Sequence, residues 1–355
     1  MQGGLAFNSF LFLDIDGGVW GHGPADCPIL NTARFVRMKP RKIPKIPAME
    51  SISVAPRYAV YVDTNAIIWA SGMFKGQTTK PVKICSDVKP KVIQALCAAF
   101  YVITEEGDLW EFGVVDPPLN ETQIPIQKLM STKRKLANIP AIKHVSGGTS
   151  HTFLIDESGS LWSGGCSSYG KLGRRSLAPV FERIEHPGSF VDACGGTDHS
   201  LFLDSNGNVW SCGSNRFGQL GLPLNIPGSN ELIKVEGVEK ITCICAGGYS
   251  SIMIDEFGNT WVCGKNLNGQ LGLDCDLNAT GLQIVPDIPK MKMAFCQDEH
   301  AIYVDENDQV YACGLNRGQL DQDVRKASKI LPYSELLKIP LMLKSSKAVK
   351  SARNI

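Results

Sequence analysis

The sequence predicts an all-β chain, a β-propeller of seven blades, on three coincident observations. An aromatic residue recurs at Trp20, Trp69, Trp110, Trp162, Trp210, Trp261 and Tyr311, at spacings of 49, 41, 52, 48, 51 and 50 residues. Glycine lies three residues after every member of the series: Gly23, Gly72, Gly113, Gly165, Gly213, Gly264 and Gly314. Six residues before it stands Asp14, Asp63, Asp156, Asp204, Asp255 or Asp305, with Thr104 in the third repeat. A period near fifty residues that contains several strand signals is that of a propeller blade, so seven repeats imply seven blades.

Each repeat reads as about four short strands. In the fifth, FVDAC is followed by Gly195-Gly196-Thr197-Asp198, then HSLFLD, then Ser205-Asn206-Gly207-Asn208, then VWSCG. Apolar or alternating runs punctuated by Gly-Gly and Asn-Gly clusters mark successive hairpins. The repeat Asp accepts backbone hydrogen bonds at the turn, and the Gly three residues before the aromatic supplies a positive φ. The aromatic is expected to fill the wedge between neighbouring sheets. The Gly after it is expected to let another backbone approach closely.

The repeats differ in order along the chain. The first opens directly on FLFLDIDGGVW and lacks the lead-in stretch seen elsewhere as IPAMESISVA (46–55) and IPAIKHVSGG (139–148). A similar stretch stands at the other end, KIPLMLKSSKAVKSARN (338–354). This circular offset predicts that C-terminal strands complete the first blade and close the ring, removing exposed sheet edges. Repeats one to three are degenerate and four to seven well formed. All 355 residues are expected to form one propeller domain.

Composition narrows the class. Lys plus Arg is 36 and Asp plus Glu 35, a net charge of +1, and 43% of residues are hydrophobic. That excludes collagen, disorder and a coiled coil, and gives no global reason to expect nucleic-acid binding. No apolar run reaches the ~18 residues of a membrane helix. The N-terminus does not read as a secretory signal, so the sequons at Asn120 and Asn278 are taken as chance matches. None of the twelve cysteines forms a C-x-x-C pair. They read as small buried hydrophobes of a reducing compartment, with no metal or disulfide site and no cofactor. A monomer in the cytoplasm, and also in the nucleus, is the expectation.

The residues after the aromatic separate the propeller families. SCGSNRFGQLG (211–221), VCGKNLNGQLG (262–272), ACGLNRGQL (312–320) and SGGCSSYGKLG (163–173), joined to GGTDHSLFLD (195–204) and GGTSHTFLID (147–156), resemble the regulator of chromosome condensation repeat family. The resemblance covers the whole chain and is strong in repeats four to seven; the first three lack GQLG. It implies a seven-bladed propeller. Some relatives resemble nucleotide-exchange factors for a Ran-type small GTPase, gripping it with acidic and His residues of the GG-x-x-H loops. The matching positions here are Ser150, His151, Asp198, His199, Ser250, Glu299 and His300, and Asp198-His199 fits the pattern best. The wedge loop that relatives insert in an early blade has no counterpart.

No catalytic constellation is present: no nucleophile elbow, Walker loop or HExxH motif. His151, His199 and His300 share one repeat position, which suits a structural hydrogen bond as well as a ligand. Binding is therefore the expected class: a scaffold or regulator for protein partners, with exchange activity on a small GTPase as the alternative. Loops should sort to two ends of the sheets, GG-x-x-H and GQLG at one and the Asp turns at the other. The seven windows between the repeat Asp and the aromatic hold fourteen acids and no Lys or Arg, leaving the remainder with fifteen more bases than acids. An electrically two-sided molecule is the expectation.

Overall fold

The computed structural model describes residues 3–6, 9–14, 16–22, 41–43, 46–55, 58–74, 77–97, 99–113, 133–315 and 324–329. They form seven four-stranded antiparallel sheets, taken here in chain order as sheets 1 to 7. Sheet 1 holds Gly3–Ala6, Ser9–Leu13, Val19–His22 and Arg41–Lys42. Sheet 2 holds Met49–Val54, Tyr58–Asp63, Ile68–Phe74 and Gln77–Cys85, and sheet 3 holds Pro90–Ala95, Ala99–Thr104, Leu109–Gly113 and Lys133–Lys135. Sheet 4 holds Ile142–Gly147, His151–Asp156, Leu161–Gly165 and Glu182–Arg183, and sheet 5 holds Phe190–Gly195, His199–Asp204, Val209–Ser214 and Gly228–Lys234. Sheet 6 holds Ile241–Ala246, Ser250–Asp255, Thr260–Gly264 and Ala279–Ile284, and sheet 7 holds Met291–Cys296, His300–Asp305, Val310–Gly314 and Val324–Lys329.

In every sheet sequence neighbours are also spatial neighbours, an up-and-down meander. The second strand explains the apolar runs of the sequence. YAVYVD, HTFLID, HSLFLD, SSIMID and HAIYVD are buried at all six positions. A strand covered on both faces has no need to alternate. The first strands of sheets 5 and 6, FVDACG and ITCICA, are buried only at their first and fourth positions, and the register shifts between the two.

The chain divides into two compact units, one of Met1–Ile142 and one that begins at Lys143. In the first, one core cluster joins sheets 1 and 2 through Leu11, Val19, Met49, Ile52, Ala59 and Tyr61. Another joins sheets 2 and 3 through Val60, Val62, Ala70, Phe100, Val102 and Phe112, with Phe100 and Phe112 stacked at 4.6 Å. In the second unit, clusters join sheets 4 and 5 around Phe153, Phe190 and Phe202, sheets 5 and 6 around Leu201, Val209 and Met253, and sheets 6 and 7 around Ile252, Val262 and Tyr303. Each sheet thus packs face to face on its successor within its unit.

Closure of sheet 1 by C-terminal strands is not seen among the described residues. The edge position beside Ser9–Leu13 is taken by Gly3–Ala6, paired Gly3 to Phe12 and Ala6 to Ser9, so residues 3–42 supply all four strands. An N-terminal strand separated from its partner by only two residues closes this hairpin at less entropic cost than a strand about three hundred residues away. The C-terminal stretch 338–354 and Gly23 lie outside the described residues.

Candidate functional site

The hairpin between the second and third strands shows what the repeat Asp does. In sheet 5, Asp204 Oδ1 accepts from the backbone N–H of Asn206 and Asn208 at 2.9 Å each, while Oδ2 accepts from Trp210 Nε1 at 3.0 Å. The same staple links Asp14 to Trp20, Asp63 to Trp69, Asp156 to Trp162 and Asp255 to Trp261 at 2.8–3.2 Å. Tyr311 reaches Asp305 at 3.5 Å. Burial raises the carboxyls of Asp156, Asp204 and Asp255, but the donors from the Trp indole, the neighbouring side chains and the turn backbone outweigh it and hold all three below the ordinary value. The aromatics, Trp110 included, are half-buried. Trp69, Trp110, Trp210, Trp261 and Tyr311 pack against the inter-sheet clusters, as the wedge reading expects.

The left-handed turn position, three before the aromatic, is Gly in five repeats; Ala66 and Asp308 hold it elsewhere at φ 61° and 62°. The Gly three after the aromatic pairs with the residue that opens the second strand: Gly165 with His151, Gly213 with His199, Gly264 with Ser250, Gly314 with His300, Gly72 with Tyr58 and Gly113 with Ala99. At Gly213, φ is +103° and a Cβ would lie 2.4 Å from the Asp198 carbonyl oxygen. No side chain fits there.

These Asp turns spend their charge locally. Lys42 pairs with Asp14, Lys91 with Glu105, Lys135 with Asp108, Lys240 with Glu256 and Lys292 with Asp308, all within 2.5–3.9 Å. Asp63, Asp156, Asp204, Asp255 and Asp305 are themselves buried. Five of the fourteen turn acids thus have lysine partners that come from outside the turn windows.

At the opposite end of sheets 4 to 7, the GG-x-x-H loops interlock. His151 Nε2 meets Ser200 Oγ of the next sheet at 2.9 Å, and that hydroxyl donates to the Lys171 carbonyl at 2.8 Å. His199 repeats this with Ser251 at 2.9 Å, which donates to the Gln219 carbonyl at 2.6 Å. Because each serine proton is committed to a carbonyl, each imidazole donates from Nε2, and Nδ1 is left buried without a partner. Protonation would place a second N–H where nothing accepts it. Burial accordingly pushes His151 and His199 down to about 3 and His300 to about 4. The glycine doublet makes room for the rings: a Cβ on Gly196 would sit 2.4 Å from the His199 ring, and one on Gly195 2.4 Å from that of His151.

The GKLG and GQLG loops bridge to the next sheet. Buried Lys171 donates to the Thr197 carbonyl at 3.0 Å and pairs with Asp198 at 3.5 Å; Gln270 donates to the Asp298 carbonyl at 3.0 Å. Asn215 and Asn266, both buried, hold these loops through the N–H of Leu220 and Leu271 and the carbonyls of Ile226 and Cys275.

Of the seven candidate positions, His151, His199, Ser250 and His300 are buried. Ser150 is exposed, Glu299 is half-exposed, and the Asp198 side chain retains 17% exposure. The structure adds residues the sequence reading passed over. Phe217 and Tyr249 meet edge-on at 5.4 Å, Arg216 lies over Phe217 at 5.5 Å and Lys265 over Tyr249 at 5.8 Å. Tyr169 is 67% exposed at φ 63°, a left-handed conformation costly for a bulky side chain. Partial burial, together with the charges of Asp198 and Asp298, raises the Tyr249 phenol, which stays a hydroxyl donor at neutral pH. A signal for this patch was present. Tyr249 occupies the repeat position of Asp198 and Glu299, and Tyr169 and Phe217 both precede the Gly of the GKLG and GQLG loops.

Among the described residues no group of three or more His, Cys, Asp or Glu could hold a metal ion, and no helix is long and apolar enough to cross a membrane.

Comparison with known proteins agrees with this architecture. Residues 190–219 and 206–254 match the regulator of chromosome condensation (RCC1) repeat. A search of curated protein sequences finds no match. Among solved structures, Prp20p of Saccharomyces cerevisiae is 18% identical, with a TM-score of 0.74 over 90% of this chain and 87% of its own; its structure was described with its binding to Gsp1p and histones. Yeast RCC1 (Prp20) bound by Kap60 is 16% identical, with a TM-score of 0.72 over 93% of this chain and 85% of its own. Human WBSCR16 is 14% identical, with a TM-score of 0.71 over 91% of this chain and 94% of its own. At these identities the likeness shows the fold, an all-β seven-bladed propeller.

Proposed function

We propose that this chain, a propeller of regulator of chromosome condensation repeats, is a protein-interaction module without covalent chemistry, acting as a scaffold or regulator. It binds its partner through the GG-x-x-H ends of sheets 4 to 7. The observation that carries the reading is the contrast between the two ends of these sheets. At the Asp-turn end, the repeat carboxylates are engaged by indole staples and several of the other acids by lysine pairs. At the other end, buried histidines and asparagines fix a rigid floor, on which Tyr169, Phe217 and Tyr249 stand beside Arg216, Asp198 and Glu299. Tyrosine and arginine on a preorganised base are the residues that dominate binding hot spots.

The buried imidazoles then act by positioning the neighbouring residues rather than by touching a partner. A more specific reading is exchange of guanine nucleotide on a Ran-type small GTPase. It is favoured by Asp198 at the position relatives use, and by the likeness to a structure described with Gsp1p. The cytoplasm and nucleus are the proposed locations. The test is affinity capture with the wild type and with the double variant Asp198→Ala/Glu299→Ala, melting temperatures being matched. Specific partners should be lost or weakened at least tenfold by the double variant. Equal recovery at equal affinity would remove this end of the sheets as the binding site. Release of labelled nucleotide from a Ran-type GTPase, stimulated by the wild type and not by the variant, would establish the exchange reading.

A further inference from the structure

Three strands that open consecutive sheets carry cysteines facing one another: Cys194 in sheet 5, Cys243 and Cys245 in sheet 6, and Cys296 in sheet 7. One pair stands apart. Cys296 Sγ donates to Cys245 Sγ at 2.9 Å, and the Cys296 backbone N–H donates to the same sulfur at 3.0 Å. One sheet earlier, the corresponding backbone contact runs from Ala246 to Cys194, so no second thiol stands there. Both residues of the close pair are half-buried, and both cysteines are reduced.

We propose that Cys245 and Cys296 are a site of reversible oxidative modification, closing to an intramolecular disulfide that ties sheet 6 to sheet 7. A disulfide bond is ~2.05 Å long, so the sulfurs need move together by less than about 1 Å. Cys245 pairs with Ile252 and Cys296 with Ala301, each inside its own sheet. The bond would therefore join two sheets that share side-chain packing but no backbone ladder between these strands.

The chemistry balances with a hydroperoxide as the oxidant. The Cys245 sulfur, onto which two donors converge, attacks the terminal peroxide oxygen. The O–O bond breaks and, for hydrogen peroxide, the leaving hydroxide takes the thiol proton as water, leaving a sulfenic acid. The Cys296 sulfur then attacks the Cys245 sulfur. The S–O bond breaks, and the hydroxide leaves as a second water with the Cys296 proton. Two thiols are oxidised by two electrons and one peroxide is reduced. Burial pushes the Cys296 thiol well above its ordinary value, and the thiols of Cys194 and Cys243 with it. The pair therefore stays reduced at low oxidant and closes only when oxidant accumulates.

The experiment treats the folded full-length protein with a modest excess of hydrogen peroxide, blocks remaining thiols by alkylation and maps peptides without reduction. The expected result is one dominant intramolecular cross-link, Cys245 to Cys296, reversed by dithiothreitol. It should persist in Cys194→Ser and be absent from both Cys245→Ala and Cys296→Ala. The cross-linked form should melt several degrees higher than the reduced form. Recovery of both cysteines as separate alkylated peptides, under conditions that oxidise exposed Cys166, would overturn the proposal. So would a cross-link through Cys194, or a distribution of disulfides no different from that of the protein oxidised in urea.

Discussion

Acidification from pH 7.5 to pH 5 should destabilise this protein before any of its structural carboxylates titrate. The cause is the row of buried imidazoles, His151 and His199 at about 3 and His300 at about 4. Unfolding returns each to an ordinary value near 6.5. The unfolded chain then binds more protons than the folded one between those values, so stability is complete above pH 6.5 and falls as the pH drops below it. All three folded values lie at or below about 4, so the loss at pH 5 is set by the unfolded imidazole. It comes to about 2 kcal/mol for each residue, and about 6 kcal/mol for the three together. At pH 5.5 the unfolded state holds roughly 2.7 extra protons, a slope near 3.7 kcal/mol per pH unit. Against a usual total of 5–15 kcal/mol, the fold should be close to its limit at pH 5. The assay is urea unfolding at half-unit pH steps, followed by far-ultraviolet circular dichroism. A free energy constant within about 1 kcal/mol from pH 7.5 to pH 5 would refute the buried neutral imidazoles, and with them the serine relay that fixes their tautomer.

Other substitutions test separate parts of the structure. Trp210→Ala should cost about 2–4 kcal/mol in urea melts, below the ~3–5 of a fully buried tryptophan because the ring is half-exposed, yet including its bond to Asp204. Gly213→Ala should destabilise by several kcal/mol or prevent folding, since φ is +103° and the Asp198 carbonyl occupies the methyl position; Gly237→Ala, also at positive φ but with only Leu282 near, should cost less. Lys171→Met should lower the melting temperature by removing the bridge to Thr197 and stranding Asp198, whereas Lys171→Gln, the residue of the equivalent loops, should restore much of it. Below pH 4 a further loss should set in as Asp156, Asp204 and Asp255 protonate, because their depressed values make their contribution fade only when the pH falls through them.

The parts legible in the sequence are those whose partners lie within one repeat. Asp204 and Trp210 are six residues apart and sit on one hairpin, so their spacing carried the turn and the sheet count, while the indole bond to the carboxylate emerged only in the structure. Gly213 could be assigned because its partner carbonyl lies in the same sheet. The site depends on partners one period away. His199 bonds Ser251, and Lys171 bonds Thr197, contacts between different repeats that spacing alone does not pair. The histidines His151 and His199, offered as partner-binding candidates, are buried and bonded to serines of the next sheet. Tyr249 escaped notice because Ser250, beside it, replaced the histidine that marked the loop elsewhere. Charge counts within turn windows likewise do not show partners from elsewhere: Lys240 and Lys292 pair with Glu256 and Asp308 from outside the windows.

Tyr249 and the exposed Phe257 flank the second strand of sheet 6, Ser250–Asp255, at opposite ends. A photo-activated cross-linking residue placed at each position in turn, in the full chain expressed in cells, reads directly which end meets a partner. Discrete cross-linked products at position 249, absent at position 257 and abolished by Asp198→Ala/Glu299→Ala, are expected. Products at position 257 with none at position 249 would contradict the assignment of the binding end.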